Sequence, residues 1–254
     1  MIPKTMRIPR IYQAETLTVG QEVQLDSQAT VHVARVLRLR EGDAIVVFNG
    51  QGGEYHGIVG RLDKRSVTIH LQNFIEADVE SPLKIILAQG ISRGERMDYT
   101  VQKAVELGVS AIVPLQTERT VVNLNAERKE RRRQHWQTVV YSACEQSGRN
   151  MVPHVDPVIM LSNWLQTLSV KTAGEDSKFV LNHRVDSGVD SLPLNAQQPI
   201  TVLIGPEGGL AEDEITQAEQ AGFVSVCLGP RVLRTETAAL AFISVLQAKC
   251  GDFA

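Results

Sequence analysis

Two hydrophobic periodicities divide the chain. Through residue 75 the apolar positions come in short runs, Glu22-Val23-Gln24-Leu25, Ala44-Ile45-Val46-Val47-Phe48, Tyr55-His56-Gly57-Ile58-Val59 and Ser66-Val67-Thr68-Ile69-His70-Leu71, separated by Gly, Asn and Asp. Short alternating runs broken by turn residues predict strands. Asn49-Gly50 and Gly52-Gly53 predict a tight reversal between Phe48 and Tyr55. Thr30–Leu39 predicts a short helix, with Val33, Val36 and Leu37 inward and Arg35, Arg38 and Arg40 outward. These elements sum to a small, twisted, barrel-like β domain over residues 1–75. The acidic stretch 74–83, with Ser81-Pro82, reads as its exit linker.

Beyond residue 84 the pattern becomes strand alternating with helix. Strands are predicted at Leu83–Ala88, Ala111–Pro114, Lys178–Leu181, Ile200–Ile204 and Ser225–Leu228. Helices are predicted at 96–107, 126–147, 158–168, 211–221 and 236–249. Gly108, Gly148, Gly222 and Gly251 stand where a helix-ending residue turns left-handed. Such alternation predicts a parallel sheet flanked by helices, an α/β domain over residues 76–254. The polar segments 170–177 and 184–199 read as variable connections.

Composition narrows the class. A chain of 254 residues with 43% hydrophobic and 22% charged residues can fill a globular core. No apolar run is long enough to span a bilayer or to form a signal core, so a cytoplasmic protein without membrane contact is expected. Cys144, Cys227 and Cys250 are odd in number and lack a C-x-x-C pair, which argues for buried apolar thiols rather than a disulfide or zinc framework. The six histidines have no metal-like spacing, and no metal is expected. Net charge is only −3, yet residues 1–40 carry six Lys/Arg against three acids, and Arg128-Lys129-Glu130-Arg131-Arg132-Arg133 is densely basic. Such a patch binds phosphate or is simply a solvated helix face.

Chemistry concentrates in two glycine-rich loops. Leu203-Ile204-Gly205-Pro206-Glu207-Gly208-Gly209-Leu210 leads into an acidic helix start, Glu212-Asp213-Glu214, and Leu228-Gly229-Pro230-Arg231-Val232-Leu233-Arg234-Thr235-Glu236-Thr237-Ala238 follows the next strand. Glycine lets a ligand approach the main chain, and loops after parallel strands are where α/β sheets bind small molecules. The acids at 212–214 complement the helix dipole and would repel a polyphosphate. No Rossmann fingerprint or P-loop occurs, because the glycines of 50–57 lie between strands. Gly90-Ile91-Ser92-Arg93-Gly94 matches the G-x-S-x-G nucleophile elbow of serine hydrolases, but charged Glu95-Arg96 follow it and no His-Gly-Gly loop precedes it.

Taken in order with Gln102-Lys103-Ala104-Val105-Glu106-Leu107-Gly108-Val109, Thr117-Glu118-Arg119-Thr120 and Glu145-Gln146-Ser147-Gly148-Arg149, the two loops make the whole chain resemble the bacterial 16S ribosomal RNA uridine N3-methyltransferase family. The resemblance implies a PUA-like RNA-binding domain followed by a SPOUT-type methyltransferase domain with a trefoil knot. It also implies a homodimer, S-adenosylmethionine as methyl donor, and 16S rRNA, within the small ribosomal subunit, as substrate. Carried onto this sequence, cofactor contacts fall on Leu203, Gly205, Glu207, Gly208, Leu228, Gly229, Leu233 and Arg234, mostly through main chain. Arg234 is then the catalytic cation at a uracil carbonyl, with Glu236 orienting it, accepting the N3 proton, or serving only as a helix N-terminal acid. RNA contacts fall on Arg7, Arg10, Arg35, Arg38, Lys103, Arg119 and Arg149. The neighbouring readings are a SPOUT enzyme acting on another RNA or on a ribose 2′-hydroxyl, and a non-catalytic RNA-binding assembly factor.

Overall fold

The computed structural model describes residues 8–63, 66–120, 125–169, 176–189, 192 and 194–253. The chain forms two compact units, one of residues 1–80 with 144–152, the other of residues 81–143 with 153–254. The first unit thus runs past residue 75 and takes in a segment from mid-chain, because residues 144–152 bring it their own partners. The Glu145 carboxylate accepts from the Tyr12 amide at 3.1 Å, and the Arg149 guanidinium grips Glu80, with Nε at 2.9 Å.

Five strands build the sheet of the first unit: β1 (Arg10–Tyr12), β2 (Glu22–Gln24), β3 (Ala44–Phe48), β4 (Glu54–Leu62) and β5 (Val67–Ile75). Their order is β1-β3-β4-β5-β2, antiparallel except that β1 runs parallel to β3. Val23, Ile45, Val47, Val59, Val67, Ile69 and Leu71 point into one core together with Ile11, Leu17, Leu25 and Val33. Register shifts after His56 and Val59 bend β4. Gly57 permits the bend, since a Cβ there would lie 2.6 Å from the His70 carbonyl oxygen.

Between β2 and β3 the expected helix is a short α1 (Ser27–Val31), capped by Asp26 accepting from the Ala29 amide at 2.8 Å, and then a π-helical segment His32–Leu37. The i→i+5 turn rotates Val36 outward, to 65% exposure, and leaves Val33 as its buried residue. Arg38 ends the segment at φ 54°, the one non-glycine left-handed residue among those described. Burial raises the Glu145 carboxyl above its usual range, with the Tyr12 amide opposing that shift.

In the second unit the strands are β6 (Ile85–Gly90), β7 (Val109–Gln116), β8 (His154–Val155), β9 (Ile159–Met160), β10 (Ser177–Leu181), β11 (Ile200–Ile204) and β12 (Val224–Val226). They form a parallel sheet in the order β12-β10-β11-β6-β7-β8, with β9 also on β7. β11 is buried along its whole length, as a parallel strand covered on both faces must be. The helices are α2 (Glu95–Glu106), α3 (Ala126–Ser147, of which residues 126–143 belong to this unit), α4 (Leu161–Ser169), α5 (Glu212–Gln220) and α6 (Thr235–Cys250). α4 starts later than expected because 159–160 pair with β7.

Gly108, Gly148 and Gly222 have φ near +90° as helix stops. Gly251 does not: its φ is −106°, and glycine stands there because a Cβ would overlap the Gln247 side chain. Gln247, fully buried on α6, donates to the Leu107 carbonyl at 2.7 Å and accepts from Ser81 Oγ at 2.7 Å, tying α6 to the end of α2. Of the cysteines only Cys144 is buried, and burial pushes its thiol up to about 12. No helix is long and apolar enough to cross a membrane among the described residues.

Two consequences are measurable. A carboxyl raised on folding favours the native state at low pH, and that contribution is lost as pH rises through its folded value. Glu145→Gln keeps an acceptor for Tyr12 and removes the buried charge. It should raise Tm by about 2 °C at pH 8, with the gain vanishing below pH 4.5 in thermal scans. At the end of β6, a Cβ on Gly90 would lie 2.6 Å from Pro206 N and Cδ. Gly90→Ala should therefore cost about 1–3 kcal/mol in denaturant unfolding.

Candidate functional site: a cavity between two glycine loops

β10, β11 and β12 end on the same side of the sheet, and the loops that leave them enclose a cavity of about 420 Å³. Its walls come mainly from Leu181–Arg184, Ile204–Leu210, Val226–Gly229 and Arg231–Glu236. Ligands of open α/β sheets bind at this end.

The first loop is held from several sides. Gly209 (φ 69°) donates to the Pro206 carbonyl at 2.8 Å, closing a tight turn. The Glu207 carboxylate accepts from the Arg93 amide at 2.8 Å and pairs with Arg96 at 3.3 Å. Arg119 donates to the Gly208 carbonyl at 3.0 Å, and a Cβ on Gly208 would sit 3.1 Å from the Arg119 Cβ. The acids that follow do more than complement a dipole. Glu214 accepts from the Ala211 amide at 2.9 Å and the Glu118 amide at 2.8 Å, and Glu212 pairs with Arg184 at 2.6 Å.

In the second loop Gly229 has φ 82°, and the Cys227 amide donates to the Ser187 carbonyl at 2.8 Å. The loops meet at the start of α6. Thr235 Oγ1 donates to the Gly205 carbonyl at 2.6 Å, and the buried Gln89 amide donates to Thr235 Oγ1 and the Gly90 carbonyl, both at 2.9 Å. Sequence reasoning missed Gln89 and Thr235, whose roles appear only once β6, β11 and α6 are side by side.

Gly205, Glu207, Gly208, Leu228, Gly229, Leu233, Arg234 and Glu236 all line this cavity. Leu203 does not. It is buried in the core with Ala88 and Val180, and its peptide groups lie in the sheet between β10 and β6. Arg234 is exposed and in no ion pair among the described residues. Glu236 lies in the first turn of α6, and its Oε2 is buried without a hydrogen-bond partner.

The residues expected to meet RNA scatter more widely. Arg35 and Arg38 are exposed in the first unit, and Arg7 lies outside the described residues. Arg119 lines the cavity, while Lys103 pairs with Glu106 at 2.7 Å. Arg10 and Arg149 are buried inside the first unit. Arg10 pairs with Glu54, donates to Asn150 Oδ1 at 2.6 Å and stacks over the Phe48 ring at 4.9 Å. Burial alone would raise the Glu54 carboxyl, but hydrogen bonds from His56 and Arg10, with the Arg10 charge, hold it below its usual range. Both arginines thus have carboxylate partners of their own.

The Ser92 elbow reading fails on geometry. Ser92 is fully buried and lacks the left-handed backbone that exposes such a nucleophile. Among the described residues no group of three His, Cys, Asp or Glu side chains could hold a metal ion.

Comparison with known proteins agrees with this geometry. The RNA methyltransferase domain family matches residues 79–247, and the RNA methyltransferase PUA domain family matches residues 25–72. The chain is 34% identical over 246 residues to the ribosomal RNA small subunit methyltransferase E of Buchnera aphidicola subsp. Schizaphis graminum, covering 97% of this chain and 98% of that one. The ribosomal RNA small subunit methyltransferase E of Neisseria gonorrhoeae, solved bound to S-adenosylmethionine, superposes with a TM-score of 0.88 at 41% identity, over 97% of this chain and 100% of that one. A suggested methyltransferase of Legionella pneumophila, also solved with S-adenosylmethionine, gives 0.91 at 39% identity over the same shares. With both domain families matched in order and relatives of this similarity along the full length, the chain belongs to the ribosomal RNA small subunit methyltransferase E family.

Proposed function

We propose that the protein transfers a methyl group from S-adenosylmethionine to N3 of a uridine in 16S rRNA. The observation that carries this reading is the cavity itself, walled by two main-chain loops, with the unpaired Arg234 cation and the unpartnered Glu236 carboxylate on its lining. Its volume lies within the roughly 300–1,000 Å³ of small-molecule sites. Main-chain groups of Gly205, Gly208, Leu228, Gly229 and Leu233 suit a ligand read by hydrogen bonds at close range.

The bound cofactor supplies an electrophilic methyl on its sulfonium. The protein must then prepare the nucleophile. N3 of uracil carries a proton between two carbonyls, so negative charge spreads to O2 and O4 as that proton leaves. The Arg234 guanidinium stabilises that charge, and Glu236, which makes no contact with Arg234 here, takes the proton. N3 lies on the pairing edge of the base, so the target nucleotide is unpaired or extruded when it reacts. Arg119 at the cavity rim and the exposed Arg35 and Arg38 of the first unit hold RNA phosphates. The homodimer and the trefoil knot belong to the same proposal, and the exposed Val232 beside Arg234 offers apolar surface for a second copy.

Two measurements test the reading. Methylation at N3 blocks base pairing, so primer extension on 16S rRNA should stop at one uridine in wild-type cells. The stop should vanish in a deletion strain and return on complementation; a stop that persists in the deletion strain rules the reaction out. Arg234→Ala should lower kcat by about 100-fold or more while calorimetric S-adenosylmethionine affinity stays within about threefold. Turnover near the wild-type rate would remove Arg234 from the mechanism.

A further inference from the structure

α3 carries a charge arrangement that helix stability does not select. Arg128, Arg131, Arg132 and His135 lie at i, i+3, i+4 and i+7, so they share one side of the helix. Arg128 and Arg131 are exposed and Arg132 is half-exposed. Among the described residues none of these three guanidinium groups is in an ion pair, whereas the adjacent Arg133 is held by Glu130 through two bonds of 2.9 and 2.6 Å. Cations in the first turns of a helix oppose its dipole, and like charges three and four residues apart repel. Both effects are unfavourable, and the net charge of the whole chain is −3.

The stripe is also anchored to the helix that carries a cavity residue. His135 Nε2 meets Asp98 Oδ2 at 2.8 Å, and the buried Trp136 indole donates to Asp98 Oδ1 at 3.1 Å, so α3 is anchored to α2 at Asp98. Arg96, two residues before Asp98 on α2, lines the cavity. Tyr99, 50% exposed, adds an aromatic surface of the kind on which bases stack. From His135 the stripe runs about 10 Å along α3 to Arg128.

We propose that Arg128, Arg131 and Arg132 form a phosphate-binding surface for the same RNA whose nucleotide enters the cavity. The inference rests on the RNA methyltransferase reading above. Unpaired guanidinium groups in a row, on a helix otherwise destabilised by them, complement a polyanion.

The test compares wild type with the triple variant Arg128→Gln, Arg131→Gln, Arg132→Gln, using protein-free 16S rRNA and assembled small subunits over a range of salt. The slope of log affinity against log salt should fall by about 2–3, with Kd for protein-free rRNA rising about tenfold or more. The activity loss should appear in KM for RNA rather than in kcat. Arg133→Gln, which removes a paired arginine, should leave the slope as it is. A triple variant that keeps the wild-type slope and Kd overturns the proposal. So does a loss seen on assembled subunits and absent on protein-free rRNA, which would assign the stripe to a ribosomal protein. A wild-type protein that neither binds nor methylates rRNA would overturn both this inference and the function beneath it.

Discussion

The cavity depends on one close approach. The end of β6 touches the loop after β11 at Gly90, where Pro206 leaves no room for a Cβ. Over that contact the buried Gln89 amide and the Thr235 hydroxyl join the Gly90 and Gly205 carbonyls to the first turn of α6. Buried donors need acceptors, and the Gln89 and Thr235 donors find theirs only when all three segments are in place. The chain leaves the sheet at edge strand β12 and returns so that α6 packs on α2 and β11. The loop carrying Arg234 is fixed at the cavity by that return.

Charge in this protein divides by partnership more than by position. Arg10 and Arg149 are buried against Glu54 and Glu80, where removing either partner would strand an ion. Glu207 and Glu214 accept main-chain amides and so set the shape of the first loop. Arg35, Arg38, Arg128, Arg131, Arg132 and Arg234 are in no ion pair among the described residues, and all of them face outward or into the cavity. A linear count of Lys and Arg weighs both classes equally. The resemblance points to Arg10 and Arg149 as RNA contacts, and the structure shows both guanidinium groups already paired inside the β unit.

Much of the second unit was readable because its signals are local. The apolar run of β11 and the glycine stops after α2, α3 and α5 need no distant partner to be recognised. β1, β8 and β9 span only two or three residues, too few for a period, and exist because a neighbouring strand is there to pair with. Gly251 shows the limit of the glycine rule, since its reason is the Gln247 side chain beside it and not a left-handed turn. Val36 shows the limit of the helical period, which fails where the helix widens.

The sequence by itself determined the two-part architecture and the two glycine loops, and its motifs taken in order carry the family resemblance. The architecture and the loops follow from residues near one another in the chain, where backbone preference and hydrophobic period act directly, while the resemblance rests on motifs spread along its length. Only the tertiary structure decided that Leu203 belongs to the core, that Gln89 and Thr235 lock the loops together, and which arginines are already paired. Those outcomes depend on which groups meet across long stretches of chain. Burial and hydrogen-bond partnership are properties of that meeting, and no local pattern encodes them.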